Sequence, residues 1–218
     1  MSHKYPGKLI LFEGCEGAGK STLIRALGEI LRTRICDVVE TKEPRGSARD
    51  ILLNPSHPLT PQEELTIFID GRAEHFSETI IPALERGDIV LCDRSTYSTI
   101  AYQHYGRGLD LTDILVRDAK ARQNVGFDLI ILLDINPEIG LKRKKPETRF
   151  ELEAINFHHC VRNGYLEQAQ NDPEGKWAVI DASKPAEKIF NEARQAILEF
   201  LNLILQASPL ASKRLSLR

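Results

Sequence analysis

Gly14-Cys15-Glu16-Gly17-Ala18-Gly19-Lys20-Ser21 is a complete G-x-x-x-x-G-K-S string, with Thr22 directly after it. An apolar run, Lys8–Phe12, leads into it, and a helix is expected from about Gly19 to Thr33. Glycines let such a loop curl until successive backbone N–H groups point inward at phosphate oxygens. The helix that follows adds the positive end of its dipole. Lys20 then reaches the β- and γ-phosphates of a nucleotide, and the Ser21 hydroxyl is a ligand for Mg²⁺. The segment from Gly14 to Thr22 is therefore the expected ATP-binding loop. A chance glycine-rich turn has no reason to carry a strand before it, a helix after it and an intact Gly-Lys-Ser-Thr.

Outward from this loop, four more short apolar runs alternate with helical patterns: Asp37–Thr41, Ile89–Cys92, Leu129–Asp134 and Trp177–Asp181. Runs so nearly continuous in apolar residues suit strands buried on both faces, and the alternation predicts an α/β fold, a five-stranded parallel sheet flanked by helices. Thr60-Pro61-Gln62-Glu63 reads as a capping box with proline in the first turn. Asn136-Pro137-Glu138 and Lys184-Pro185-Ala186-Glu187 mark two other helix starts. Ile189, Ala193, Ile197, Phe200 and Ile204 recur at helical spacing, so a last helix should dock one stripe on the sheet. No linker or repeat divides the chain. One domain is expected over residues 1–205, with 206–218 a frayed tail.

Of the 218 residues, 42% are hydrophobic and 28% charged, with a formal net charge of −2, the balance of a soluble globular protein. A grip on long nucleic acid would need a basic excess that is missing, so that class of partner is not expected. No apolar run approaches the roughly 18 residues that span a bilayer. The polar start, Met1 to Gly7, carries no secretory signal. The cysteines Cys15, Cys36, Cys92 and Cys160 form no C-x-x-C pair and read as reduced thiols of a cytoplasmic protein.

A phosphate loop alone fits ATPases, GTPases, transporters and kinases. A GTPase needs a base-reading N-K-x-D, and the nearest string, Asn191-Glu192-Ala193-Arg194, does not supply it. Asp93-Arg94 closes the third run, at the carboxyl end of a strand where open α/β sheets bind ligands. An isolated Asp-Arg is usually a surface ion pair. Beside a phosphate loop, Asp93 suits metal ordering and Arg94 charge neutralisation in phosphoryl transfer. On the helix after Thr60, Leu65, Ile69, Phe76, Ile80 and Leu84 form a core stripe, while Phe68 and Arg72 lie one turn apart on another face. A ring beside a guanidinium suits base stacking with a hydrogen bond to the base edge. The alternative for Phe68 is plain core packing.

The sequence resembles the thymidylate kinase family over nearly its whole length. Phe12-Glu13-Gly14 running into Gly19-Lys20-Ser21-Thr22, Thr41-Lys42-Glu43-Pro44, Ile67-Phe68 through Arg72-Ala73-Glu74-His75, Pro82-Ala83-Leu84-Glu85-Arg86-Gly87 and Asp93 through Gln103 follow five family motifs in order. The resemblance implies a nucleoside monophosphate kinase fold, transfer of the ATP γ-phosphoryl group to dTMP, Mg²⁺ at Ser21 and Asp93, and a homodimer. It implies that Phe68 stacks on thymine, Arg72 reaches its O4, and Ser98 and Gln103 line the base. Tyr102 is then near the deoxyribose, Glu16 accepts from the 3′-hydroxyl, and Arg94 holds the 5′-phosphate.

The run Lys142-Arg143-Lys144-Lys145, by itself a solvated face, stands where the family has a lid over ATP, here at about residues 142–150. Family members without an arginine in the phosphate loop, where this sequence has Gly17, supply lid arginines instead, so the resemblance implies that Arg149 in Thr148-Arg149-Phe150-Glu151, which is similar to the family's D-R-x-E, is the catalytic lid residue. Arg143 is expected on adenine, with Ser183 flanking it. Departures stand at Ser95, Lys42, Thr148 and Arg45, the last read as a second clamp on the dTMP phosphate. A different monophosphate acceptor, such as dUMP or dGMP, and a non-catalytic nucleotide-binding protein remain the competing readings.

Overall fold

The computed structural model describes residues 4–34, 37–143 and 145–207. Cys36, Lys144 and the expected tail at 208–218 lie outside them, as does the Ile204 side chain. In chain order the elements are β1 (Lys8–Glu13), α1 (Lys20–Arg34), β2 (Val38–Lys42), α2 (Gly46–Leu53), α3 (Pro61–His75), α4 (Ile81–Arg86) and β3 (Ile89–Asp93). They continue with α5 (Thr96–Thr99), α6 (Leu111–Ala121), β4 (Leu129–Asp134), α7 (Pro137–Lys142), α8 (Ile155–Gln170), β5 (Trp177–Asp181) and α9 (Ala186–Ala207).

Among the described residues the five strands form one parallel sheet in the order β2-β3-β1-β4-β5. Residues 9–12 of β1 are wholly buried because successive side chains serve opposite faces. Ile10 and Phe12 join Leu23, Ile24 and Leu27 of α1 and Ile189, Ala193 and Ile197 of α9. Leu9 and Leu11 join Phe76, Ile80 and Leu84 on the other side. Helices cover both faces, so the three inner strands β1, β3 and β4 are buried and apolar along nearly their whole length, while the edge strands β2 and β5 are partly exposed. The carboxyl ends of β1, β3 and β4 meet at one edge, and the phosphate loop leaves from the central strand there.

Thr60 caps α3 as expected: its hydroxyl accepts from Glu63 N–H, and the Glu63 carboxylate accepts from Thr60 N–H at 2.8 Å. The helix predicted to run on as one α-helix instead widens into a π-turn at Phe76–Ile80 before α4. Pro82 explains this, since it has no N–H for the carbonyl one turn earlier and its ring crowds that carbonyl. A second π-turn, Ile100–Gly106, follows α5 and carries Tyr102 and Gln103. No helix among the described residues is long and apolar enough to cross a membrane.

Candidate active site

One cleft at the carboxyl edge of the sheet gathers residues from five separate segments. Glu16 to Thr22, Lys42 to Pro44 with Arg49 and Leu53, Phe68 and Arg72 of α3, Asp93 at the end of β3 with Arg94, Ser98, Tyr102 and Gln103, and Thr148, Phe150 and Glu151 all line it. The loop closes on α7 so tightly that a Cβ on Gly17, where φ is +72°, would sit 2.0 Å from the Gly140 carbonyl oxygen. An arginine at that position is excluded by backbone, which accounts for its absence. Lys20 is buried and donates to its own loop, to Gly14 O at 2.9 Å and Cys15 O at 3.0 Å. Burial, with the Arg94 charge adding to it, pulls its ammonium below the usual lysine range against the pull of Asp93 and Glu16. The Cys15 side chain turns into the core, and burial pushes its thiol up to about 12, so it takes no part in the cleft chemistry.

The Ser21 hydroxyl donates to Asp93 Oδ2 at 2.6 Å. One hydroxyl and one carboxylate side by side fit a hard cation that completes its shell with phosphate oxygens and water. Among the described residues no group of three or more His, Cys, Asp or Glu side chains is placed to hold a metal ion.

Arg94 occupies left-handed backbone, φ +71°, which is costly for a residue with a Cβ and is held by the surroundings. Its guanidinium donates to Glu16 Oε1 at 3.0 Å, to the Tyr165 hydroxyl at 2.9 Å and to Ser98 Oγ at 3.2 Å, and lies over the Tyr102 ring. Tyr102 also donates to Glu16. Burial raises the Glu16 carboxyl, but Arg94, Lys20 and the Tyr102 hydrogen bond outweigh it and hold the group below the ordinary range. Glu13 shows the reverse balance: burial dominates and leaves it raised, although Ser98, Arg94 and the Ser95 N–H all oppose.

At the far end of the cleft Arg72 is almost sealed, 1% exposed. Its Nε and Nη2 donate to Glu43 at 2.9 and 2.7 Å, Nη1 donates to Asp118 at 2.7 Å, and Nη2 also donates to Thr99 Oγ1. Four of the five guanidinium N–H groups are engaged among the described residues. Gln103 is wholly buried. Its Nε2 donates to Glu64 at 2.8 Å, and its Oε1 has no partner among the described residues. Phe68 packs on the core and borders the cleft, its ring 6.1 Å from Phe150.

A family model described as "Thymidylate kinase" matches residues 12–193. The thymidylate kinase of Desulfovibrio desulfuricans is 43% identical over 208 residues, spanning 88% of this chain and 95% of its own. That of Carboxydothermus hydrogenoformans is 41% identical over 204 residues, spanning 90% and 98%, and that of Citrifermentans bemidjiense 44% over 192, spanning 81% and 85%. The chain belongs to the thymidylate kinase family.

Within that family frame, six expected residues do not line the cleft: Gly14 and Cys15 at the start of the loop, and Arg45, Arg143, Arg149 and Ser183. The Arg45 guanidinium turns away to the Thr79 hydroxyl, because Arg45 caps α2 in extended backbone. Arg49, one turn later in α2, lines the cleft instead, on the same helix face as Leu53. Arg149 donates to the His57 carbonyl and stands 3.6 Å from Glu64, while its neighbours Thr148 and Phe150 face the cleft. The Arg149 N–H bonds to Leu53 O at 3.2 Å, and the turn that follows drives Phe150 against Tyr102 and throws Arg149 to the opposite side. Arg143 spans from Gly17 O at 3.0 Å to Ala182 O at 2.9 Å, beside Ser183, which donates twice to Asp181. The sequence reading assigned no part to Glu13, Glu43, Glu64, Thr99, Asp118 or Tyr165. Glu13 and Glu43 stood inside motifs, but their partners lie 29 to 152 residues away in sequence.

Proposed function

We propose that this family member transfers the γ-phosphoryl group of ATP to dTMP, giving dTDP and ADP. One observation supports the choice of base. The cleft end beside Phe68 is lined by Arg72, which among the described residues keeps one N–H uncommitted, and by Gln103, whose Oε1 has no partner among them. A donor next to an acceptor complements thymine, whose O4 accepts and whose N3–H donates. Cytosine offers the opposite order at those positions, and the buried groups would be left unpaired against it.

The acceptor is a phosphate oxygen that is already anionic, so its in-line attack on the γ-phosphorus needs no general base, and catalysis is positioning and charge neutralisation. Arg94, fixed by Glu16, Ser98 and Tyr165, holds the 5′-phosphate, with Arg49 as the second cation on that side. Glu16, kept ionised by its neighbours, accepts from the 3′-hydroxyl, and Tyr102 packs against the sugar. Lys20 leaves its loop carbonyls for the β- and γ-phosphates. Arg143 and Ser183 flank adenine. Mg²⁺, held by Ser21 and Asp93 together with phosphate oxygens, would offset the charge of the transferring group when bound. Arg149 reaches the γ-phosphoryl group on closure of the segment 142–150, which excludes water. The same reading makes the protein a cytosolic homodimer acting on small molecules.

The test is ADP release from Mg·ATP with and without dTMP. The reading predicts release that depends on dTMP and yields equal amounts of ADP and dTDP. Release indifferent to dTMP would refute it.

A further inference from the structure

Glu64, Phe68 and Arg72 follow one another at four-residue spacing along α3, so an acid, a ring and a guanidinium share one helix face. Phe68 and Arg72 reach the cleft directly. Glu64 reaches it through Gln103, whose amide it holds at 2.8 Å. A carboxamide is nearly symmetric in shape, so packing alone does not decide whether its oxygen or its NH₂ faces a ligand. Glu64 decides it. Its carboxylate is 1% exposed and is paired with Arg107 at 3.2 Å, with Arg149 at 3.6 Å on the same group. An ion-paired carboxylate can only accept, so the Gln103 NH₂ must turn toward it, which leaves Oε1, without a partner among the described residues, as the amide atom free for a ligand in the cleft that Gln103 lines.

We infer that Glu64 determines acceptor-base specificity by fixing the orientation of the Gln103 amide. It is a positioning residue that never touches the base, and the inference rests on the proposed seating of thymine against Phe68. In that seating Oε1 accepts the N3–H of thymine and turns a lone pair toward the unprotonated ring nitrogen of cytosine. An amide free to flip would offer NH₂ instead, which cytosine accepts and thymine does not. The plainer role for Glu64 is a buried counter-ion for Arg107. Losing a counter-ion lowers turnover of every acceptor together, whereas losing the orientation changes the ratio between acceptors.

Glu64→Gln replaces the obligate acceptor by a group that both donates and accepts at the same volume. The inference predicts that the kcat/KM preference for dTMP over dCMP falls by about tenfold or more in this variant, in the range set by pairing or unpairing one buried polar group, with Arg72 still opposing cytosine. The exchange variant Glu64→Gln/Gln103→Glu again confronts a side-chain amide with a carboxylate, now with an obligate acceptor at the cleft, and should restore the dTMP preference to within about threefold of wild type. It carries the test even where the single variant folds poorly. N3-methyl-dTMP with the wild-type protein checks the seating separately, and turnover should drop by about tenfold or more because the N3–H is gone. A dTMP:dCMP ratio unchanged by Glu64→Gln, in a protein that still rejects N3-methyl-dTMP, overturns the role of Glu64. Undiminished turnover of N3-methyl-dTMP overturns the seating and the inference with it.

Discussion

The two ends of the cleft hold their cations in opposite ways. At the proposed base end Arg72 is sealed between Glu43 and Asp118, and Gln103 is pinned by Glu64, so the donor and acceptor that the proposal aims at a base are held by the protein itself. At the phosphate end Lys20 bonds to its own loop carbonyls, Arg143 bridges two backbone oxygens, and Arg149 is turned to His57 and Glu64. Selection among bases needs a rigid template, because a polar group that can turn to suit the wrong base discriminates poorly. Charge delivery needs groups that exchange a weak internal partner for phosphate at the moment of transfer. Arg94 stands between the two ends, fixed like Arg72 but held by Glu16, Ser98 and Tyr165, and in the proposed reading it serves the phosphates.

The contrast makes predictions of graded size. The largest effect belongs to Lys20→Ala, where loss of the charge on the β- and γ-phosphates should lower kcat by about a thousandfold, measured by ADP release. Turnover equal to wild type would remove the loop from the chemistry. Arg149→Ala should lower kcat by about a hundredfold while dTMP KM barely moves, since the contact forms in the transition state and not in the unliganded cleft. A kcat within about twofold of wild type would leave Arg149 as a structural partner of Glu64 and shift attention to Arg143 and Lys145.

Next in size is the pair Arg49→Ala and Arg45→Ala. The first should raise dTMP KM by about tenfold or more, the usual worth of a charge-assisted hydrogen bond, and the second should change it by less than about twofold. The reverse ranking would restore Arg45 as the phosphate clamp. Phe68→Ala should weaken dTMP binding by about 1–3 kcal/mol, the worth of base–aromatic stacking, with ATP binding unaltered in calorimetry. Equal losses for both ligands would mean that the ring only packs the core.

What the sequence disclosed and what it withheld divide along the same line. All five strands lie within a residue or so of their expected ends; the inner strands β1, β3 and β4 write their burial as continuous apolar runs. The phosphate loop and Asp93-Arg94 were legible because backbone conformation and chemistry are encoded there within a few residues. Arg45, not Arg49, was expected at the cleft, because the two lie one turn apart on the same side of α2 and only the extended N-cap backbone of Arg45 sends its guanidinium to Thr79. Arg149 was legible as a charge, but not its direction, which is set by the packing of Phe150 on Tyr102. The acids behind the base end were silent, since Glu43, Glu64 and Asp118 meet Arg72 and Gln103 only after α3, α5 and α6 have packed.

The most direct test is a competition in which Mg·ATP is limiting and dTMP, dUMP, dCMP and dGMP are present at equal concentration, with the diphosphate products separated by chromatography. The preset base end predicts dTDP as the major product, with dCDP and dGDP lower by about a hundredfold or more, as expected where the wrong base leaves buried polar groups unpaired. A product mixture in which dCDP or dGDP equals or exceeds dTDP would contradict the assignment of Arg72 and Gln103 to thymine.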